Sequence, residues 1–452
     1  MYWLSFKKKK EKPVTGLILP GGGARNAYQA GVLKAIGDML PEDVENPFPV
    51  ICGTSSGALN AVLLASSATR FREGVDRLYG IWANFHVGKV FKTDPWTAIK
   101  SGFRWTVTFL GLGLIKQQPE SVLDNSPLRH LLESHIRFAR IQQGIDSGAL
   151  DAVSITSSGY TSGLSVTFYQ GKEGLKPWKR TRRIGQPTEL TLNHLMASSA
   201  IPVLFPAVKL RNEYFGDGSM RQTAPLSPAL HLGANRLLII GGRNPRPDTP
   251  PDDSRSVPSP TFGQITGYIF DTLFMDSLDA DIERMRRINH TITETRDKRV
   301  TYHDTSLRQI DYLVISPSMD IRDIVERYVG NFPRSVRILL KGIGALAREG
   351  RPLMSYLMFD APYCKELMEL GYEDGMAARK QVLHLLGDED LAEEIPEEES
   401  EAAGEVLFRI VIQRGALRRA GGVYPECHTK PARQSHRHSP GTGTIVDGNA
   451  IM

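Results

Sequence analysis

Cysteine is scarce in this sequence. Cys52, Cys364 and Cys427 are the only three in 452 residues, odd in number and far apart. They form no CxxC pair and no metal-ligand spacing. That excludes a disulfide framework and a zinc-finger layout, and it makes a reducing cytoplasm the expected setting. Long apolar runs are missing too. The most apolar piece of an aromatic-rich segment, residues 107–115, is far too short to span a bilayer, so no transmembrane helix is expected. Residues 1–6 place a short apolar piece before the lysine run at 7–10, the reverse of a secretory leader, and none is expected. There is no internal repeat. No arginine-rich groove pattern points to nucleic acid, and the net charge of +5 suits an anionic surface without requiring one.

What is present is organised around residues 49–60. A short apolar run ends in Gly53-Thr54-Ser55-Ser56-Gly57, and a small-residue helical pattern follows. G-x-S-x-G between a strand and a helix is the layout of a nucleophile elbow, which pushes the central serine into the open. Gly53 and Gly57 suit a turn that brings neighbouring elements close. Ser55 then sits at the positive end of the next helix, where developing negative charge is favoured. A Gly/Ser loop capping a helix reads the same way, so the pentapeptide leaves two readings open. Cys52, on the strand into the elbow, reads as a small buried hydrophobe.

Upstream, residues 14–19 read as a buried strand running into Pro20-Gly21-Gly22-Gly23-Ala24-Arg25-Asn26. Ala27, Ala30, Val32, Leu33 and Ile36 then recur at helical spacing. Consecutive glycines before a helix expose backbone N–H groups as an anion cradle. An acyl-transfer enzyme needs such a cradle for its oxyanion. A phosphate loop is the competing reading. It lacks G-K-[ST], it has Asn26 where a dinucleotide loop needs a third glycine, and its second strand ends in the serine motif rather than an acidic residue.

The third piece is Tyr214-Phe215-Gly216-Asp217-Gly218-Ser219, preceded by Ser199-Ala200-Ile201-Pro202 and Phe205-Pro206. An Asp-Gly after an apolar run is by itself a turn. Taken in order, the three pieces resemble the patatin-like phospholipases, a family built on a glycine-rich oxyanion loop, a G-x-S-x-G serine and a D-G-[AG] aspartate. The resemblance covers about residues 14 to 230. It departs at Asn26, where the family usually has glycine, and at Ser219, where it usually has Gly or Ala. It implies a Ser55–Asp217 dyad that cleaves fatty-acyl esters of membrane lipids. Gly21, Gly22, Gly23, Ala24 and Arg25 would then form the oxyanion loop, Arg25 by orienting it or favouring negative charge. Gly53, Gly57 and Gly218 are motif positions, and no cofactor or metal is implied. A transacylase on the same dyad is one alternative. A Ser-His-Asp esterase using His194, His231, His290 or His303 is another, and a membrane-associated scaffold is the non-enzyme alternative.

Strands alternating with helical patterns predict an α/β fold, a mostly parallel central sheet flanked by helices. Residues 1–13 read as a basic tail. Residues 14–230 form the catalytic domain, with an insertion at 86–124. Residues 231–386 complete the α/β fold and add a helical extension. Residues 387–452 are an acidic linker and a disordered basic tail, in which His428, His436 and His438 lack metal spacing. Residues 151–156 and 164–169 are predicted as two strands joined by a polar turn, and 262–296 as one long helix. The insertion carries Trp96, Phe103, Trp105 and Phe109 among Lys100, Arg104 and Lys116. It reads equally as an interfacial membrane anchor or as a piece packed on the core. The basic N-terminus divides the same way, between lipid contact and a frayed tail. A cytoplasmic enzyme, peripheral on the inner membrane face, is the expectation; nothing in the sequence gives the oligomeric state.

Overall fold

The computed structural model describes residues 13–92, 121, 123–244, 259–296, 307–346, 350–388 and 411–413. The N-terminal lysine run, most of the aromatic insertion and nearly all of the C-terminal tail lie outside the described residues, and so does His303.

In chain order the parts that position the site begin with β1 (Thr15–Leu19), α1 (Ala27–Met39), β2 (Val50–Thr54), α2 (Ser56–Ala65) and α3 (Phe71–Ala83). Then come β3 (Ala152–Gly159), β4 (Ser165–Gly171), β5 (Trp178–Arg180), β6 (Arg183–Pro187), α4 (Leu192–Ser198), β7 (Val208–Leu210) and β8 (Glu213–Asp217). The last group is α5 (Ser227–His231), β9 (Arg236–Ile240), α6 (Phe262–Asp271), α7 (Ser277–Arg296), β10 (Asp311–Ile315), α8 (Arg334–Gly342), α9 (Arg351–Leu357), α10 (Ala361–Ala377) and β11 (Val411–Gln413).

The sheet runs β11-β10-β9-β1-β2-β3-β4-β6-β5, with β8 paired on β3 and β7 on β8. Its centre, β10-β9-β1-β2-β3, is parallel. Antiparallel pairs extend both sides. The central strands are apolar on both faces because both faces are covered. Side chains alternate along them. Leu17, Leu19 and Ile51 enter one core, which α1, α2, α3, α9 and α10 help to build. Ile18, Val50 and Cys52 enter a second core, closed by α5 and α7. The protein is therefore a three-layer α/β fold. β9, from residues beyond 230, lies beside β1 in the same sheet, and β10 lies beside β9. Burial pushes the Cys52 thiol up to about 12, as suits an inert core residue.

The expected strand pair at 151–169 is present as β3 and β4, antiparallel across Ala152↔Gly171 to Ser158↔Ser165. The predicted helix over 262–296 is interrupted. A five-residue π turn, Thr272–Asp276, joins α6 to α7. Such a turn follows from one extra residue in the hydrogen-bond ladder rather than from a proline or glycine, so local composition does not announce it. Among the described residues no helix is long and apolar enough to cross a membrane.

Candidate active site

β1 and β2 are neighbours in register, Leu19 opposite Gly53, and both end at the same edge of the sheet. The glycine loop follows the first and the serine motif follows the second. The carboxyl ends of adjoining parallel strands are where open α/β sheets place their ligand crevices.

Ser55 has φ 54 and ψ −130, a strained conformation for a residue with a Cβ. Two bonds hold it there. Its N–H donates to Ser198 Oγ at 2.9 Å, and that hydroxyl donates to Thr156 O at 2.7 Å. A Cβ on Gly57 would stand 2.1 Å from Leu19 O and 2.4 Å from Pro20 O, so only glycine lets α2 start this close to β1.

The glycine loop lies against the serine. A Cβ on Gly21 would meet Ser55 Cβ at 3.0 Å and Ser219 Oγ at 2.6 Å. Gly23 has φ 57 and opens a short 3-10 turn, Gly23–Asn26, which carries Ala24 and Arg25 into α1. Asn26 is 1% exposed, and its Nδ2 donates to Pro20 O and to Ser56 Oγ, both at 2.8 Å. It ties the start of the glycine loop to the serine turn.

Arg25 points away from the serine. Its guanidinium donates to Ser355 Oγ, Tyr356 Oη and Pro352 O, pairs with Asp271 at 2.9 Å, and lies 3.8 Å above the Tyr356 ring. Its backbone N–H donates to Gly22 O at 3.1 Å. Arg25 therefore fastens the loop to α6 and α9.

Asp217 arrives from far along the chain. β8 runs antiparallel to the end of β3, with Asp217 opposite Ser157, while Thr156 pairs with Thr54 of β2. That register sets the carboxylate beside the serine. Ser55 Oγ donates to Asp217 Oδ2 at 2.6 Å, and Ser219 N donates to Oδ1 at 2.9 Å. Gly218 leaves no room for a side chain, since a Cβ would stand 2.1 Å from Thr156 O. Asp217 is 1% exposed. Burial raises its pKa to about 6 against the opposing pull of the bonds from Ser55 and Ser219. A carboxylate in that range takes up a proton readily near neutrality.

The histidines are engaged elsewhere. His194 Nδ1 accepts from Thr191 N and its ring meets Phe168 edge-on. His231 stacks on Trp178. His290 stands on an exposed face of α7 near Glu294. Ser198, Thr156, Asn26 and Gln222 are the residues that sequence reasoning missed as supports. Gln222 bridges Thr54 Oγ1 and Thr156 Oγ1 at 2.7 and 3.2 Å. Asn26 alone had left a sign, as a departure from glycine.

A strained serine bonded to a buried carboxylate, beside a glycine loop at the end of a parallel sheet, can carry out acyl transfer through a covalent intermediate. Residues 17–230 match the family model of patatin-like phospholipases, and the chain carries a domain of that family. Over 88 residues it is 35% identical to a protein named lysophospholipase nte1 from Aspergillus terreus, covering 18% of this chain and 5% of that protein. Over 155 residues it is 26% identical to the cUMP-AMP-activated phospholipase of Escherichia coli, covering 32% of this chain and 47% of that one. The chain thus spans less than half the length of each of these curated relatives. An alignment with the structure of VipD from Legionella pneumophila covers 87% of this chain and 75% of that one, with 12% identity and a TM-score of 0.33 that supports no inference.

Proposed function

We propose that this chain is a lipid acyl hydrolase, with Ser55 as nucleophile and Asp217 as its base. The observation that carries the reading is the 2.6 Å bond from Ser55 Oγ to Asp217 Oδ2. Ser55 attacks the ester carbonyl while Asp217 accepts its proton. Backbone N–H groups of the Gly21–Gly22–Gly23–Ala24 stretch stabilise the oxyanion, with Arg25 holding the loop in shape. The proton passes to the departing alcohol. Water then enters by the same general-base route, releases the fatty acid and restores the serine. The family match and the names of both curated relatives support a lipid ester as substrate class.

Ser55 is only 3% exposed, so substrate entry requires its cover to move. Phe274, in the π turn, lies against the glycine loop, where a Cβ on Gly21 would stand 2.9 Å from its ring, and on this reading it forms part of that cover. The adjoining helix α6 presents Phe262, Ile265, Tyr268 and Ile269 to solvent, and α8 presents Ile338 and Leu339. The two helices meet where Gly263 N donates to Ile343 O at 2.7 Å. Single exposed apolar residues are ordinary, but a cluster on adjoining helices marks a contact surface. Arg334, Arg337 and Lys341 of α8 supply positive charge for anionic headgroups. On this reading the enzyme works peripherally on a lipid surface, with α6 linking the surface to the cover.

The direct test is a pair of substitutions. Ser55→Ala should lower hydrolysis of a soluble ester by about 10⁴-fold or more. Ser56→Ala removes only the Asn26 contact and should stay within about tenfold. Equal losses from both, in proteins with native circular dichroism, would refute the assignment of Ser55.

A further inference from the structure

A cavity of about 490 Å³ opens on the side of the sheet covered by α5 and α7, and the proposed reaction does not use it. Small-molecule sites commonly have such volumes. Arg180 and Arg183 reach it from β5 and β6, Arg284 from α7, and Arg308 from the segment before β10; one carboxylate, Asp281, also lines it. With four guanidinium groups against one carboxylate, the described lining carries a formal charge of +3. Asp281 answers only part of this, since its Oδ1 accepts from Arg284 at 2.8 Å and its Oδ2 from Leu226 N at 3.1 Å. Arg183 Nη1 is buried with no hydrogen-bond partner among the described residues. A buried cationic donor without an acceptor is costly unless a ligand supplies one. The positive field is felt by a neighbour. His231, held against Trp178 and lining the same cavity, has its pKa lowered by burial and by Arg180 and Arg183. Leu226, Leu230, Met285 and Ile310 supply an apolar wall.

We infer that this cavity binds a phosphate-bearing small molecule, its anionic group set among Arg180, Arg183, Arg284 and Arg308 and its organic part against the apolar wall. The planar guanidinium fork matches phosphate oxygens in pairs, and a multiply charged anion answers a +3 lining better than a single carboxylate. The site sits apart from the serine but is joined to it through the chain. Asp281 belongs to α7, which continues directly from the π turn whose Phe274 lies against Gly21.

Binding is read by isothermal titration on the full chain and on its Ser55→Ala variant, so the outcome does not depend on the proposed hydrolysis. The probes are AMP, inorganic pyrophosphate, dihexanoyl phosphatidic acid and oleate. AMP or pyrophosphate binding identifies a free phosphate compound, and phosphatidic acid binding alone identifies a lipid headgroup; both support the inference. Affinity should weaken as salt rises. Arg183→Ala should lower it by about tenfold or more. Arg180→Glu, at an exposed mouth position, should do the same without disturbing the core. Binding of oleate alone, no binding of any phosphate at millimolar concentration, or binding that both variants leave unchanged would overturn the inference.

Discussion

A carboxylate at 1% exposure must be charged to act as a base, yet burial favours its neutral form. Asp217, as the proposed base, carries both demands. Its pKa of about 6 in the fold stands above the 3.8 of an ordinary aspartate. The folded protein therefore holds this proton more tightly than the unfolded chain between those values. Stability from this group is fully present at low pH, declines as pH rises from about 4 to 6, and stays reduced above that. The difference amounts to ~3 kcal/mol. Asp217→Asn should accordingly melt at a higher temperature than the native protein at pH 8, with the two converging near pH 4, while activity falls by several orders of magnitude. Calorimetry at the two pH values checks the first part. A variant that melts lower at pH 8 would mean that the carboxylate is not a strained buried charge. In the native protein, kcat/KM should rise through an apparent pKa near 6 if Asp217 is the base proposed here, because only its ionised form can take the serine proton. Among the supports, Asn26 changes its meaning with the structure. Glycine at this position would fit the family pattern, but here the side chain bonds both Pro20 O and Ser56 Oγ. Asn26→Gly should thus lower kcat by about tenfold with little change in KM, as expected for losing one or two buried hydrogen bonds that set the loop. An unchanged kcat would reduce Asn26 to a filler.

Between elements, the decisive joint is Arg25. It belongs to the glycine loop, yet its partners are Asp271 at the end of α6 and Ser355, Tyr356 and Pro352 of α9. Lysine keeps the charge but cannot span these partners, because it lacks the planar fork and the stack on Tyr356. Arg25→Lys should destabilise the fold by about 1–3 kcal/mol and lower kcat for a soluble ester. Unaltered melting and turnover would mean that the loop keeps its shape without the tie. The contrast between this joint and the motifs explains what the sequence discloses. β1–α1 and β2–α2 were readable because each is a local unit, an apolar strand, glycines and a helical period within about 25 residues. The pairing of β8 with β3 joins residues some 60 positions apart, and no local pattern encodes that register. Asp217 was singled out only through the order of three family motifs. The Arg25 partners lie 246 to 331 positions away and left no sign at all. The π turn is silent for a different reason, since any residues of helical propensity can accommodate it.

For the molecule as a whole, the proposed function raises the question of how a buried serine would meet an ester held in a bilayer. The aromatic insertion at 86–124 offered one anchor from sequence, and its Trp96, Phe103, Trp105 and Phe109 lie outside the described residues. The described residues offer another. Tyr268 and Ile338 are each 72% exposed, on two helices whose far sides pack into the fold. Such side chains gain by leaving water, at roughly 1.5–3 kcal/mol for each fully buried one. An enzyme held peripherally, as proposed here, needs several such contacts because no single one anchors it, and the basic residues of α8 would add an attraction that salt weakens. Replacing Tyr268 and Ile338 together by Asp would remove two contacts and oppose anionic headgroups with new negative charge. Affinity for vesicles containing phosphatidylglycerol should fall by a factor of tens or more, and turnover of vesicle lipid should fall with it. Hydrolysis of a soluble short-chain ester should be retained, because neither side chain touches Ser55, Asp217 or the glycine loop. Both positions already face solvent, so the fold itself should melt as before. Co-sedimentation, the two assays and a melting curve belong on the same preparation. If vesicle binding persists in the double variant, this face is not what meets the lipid, and the anchor must be sought in the insertion instead.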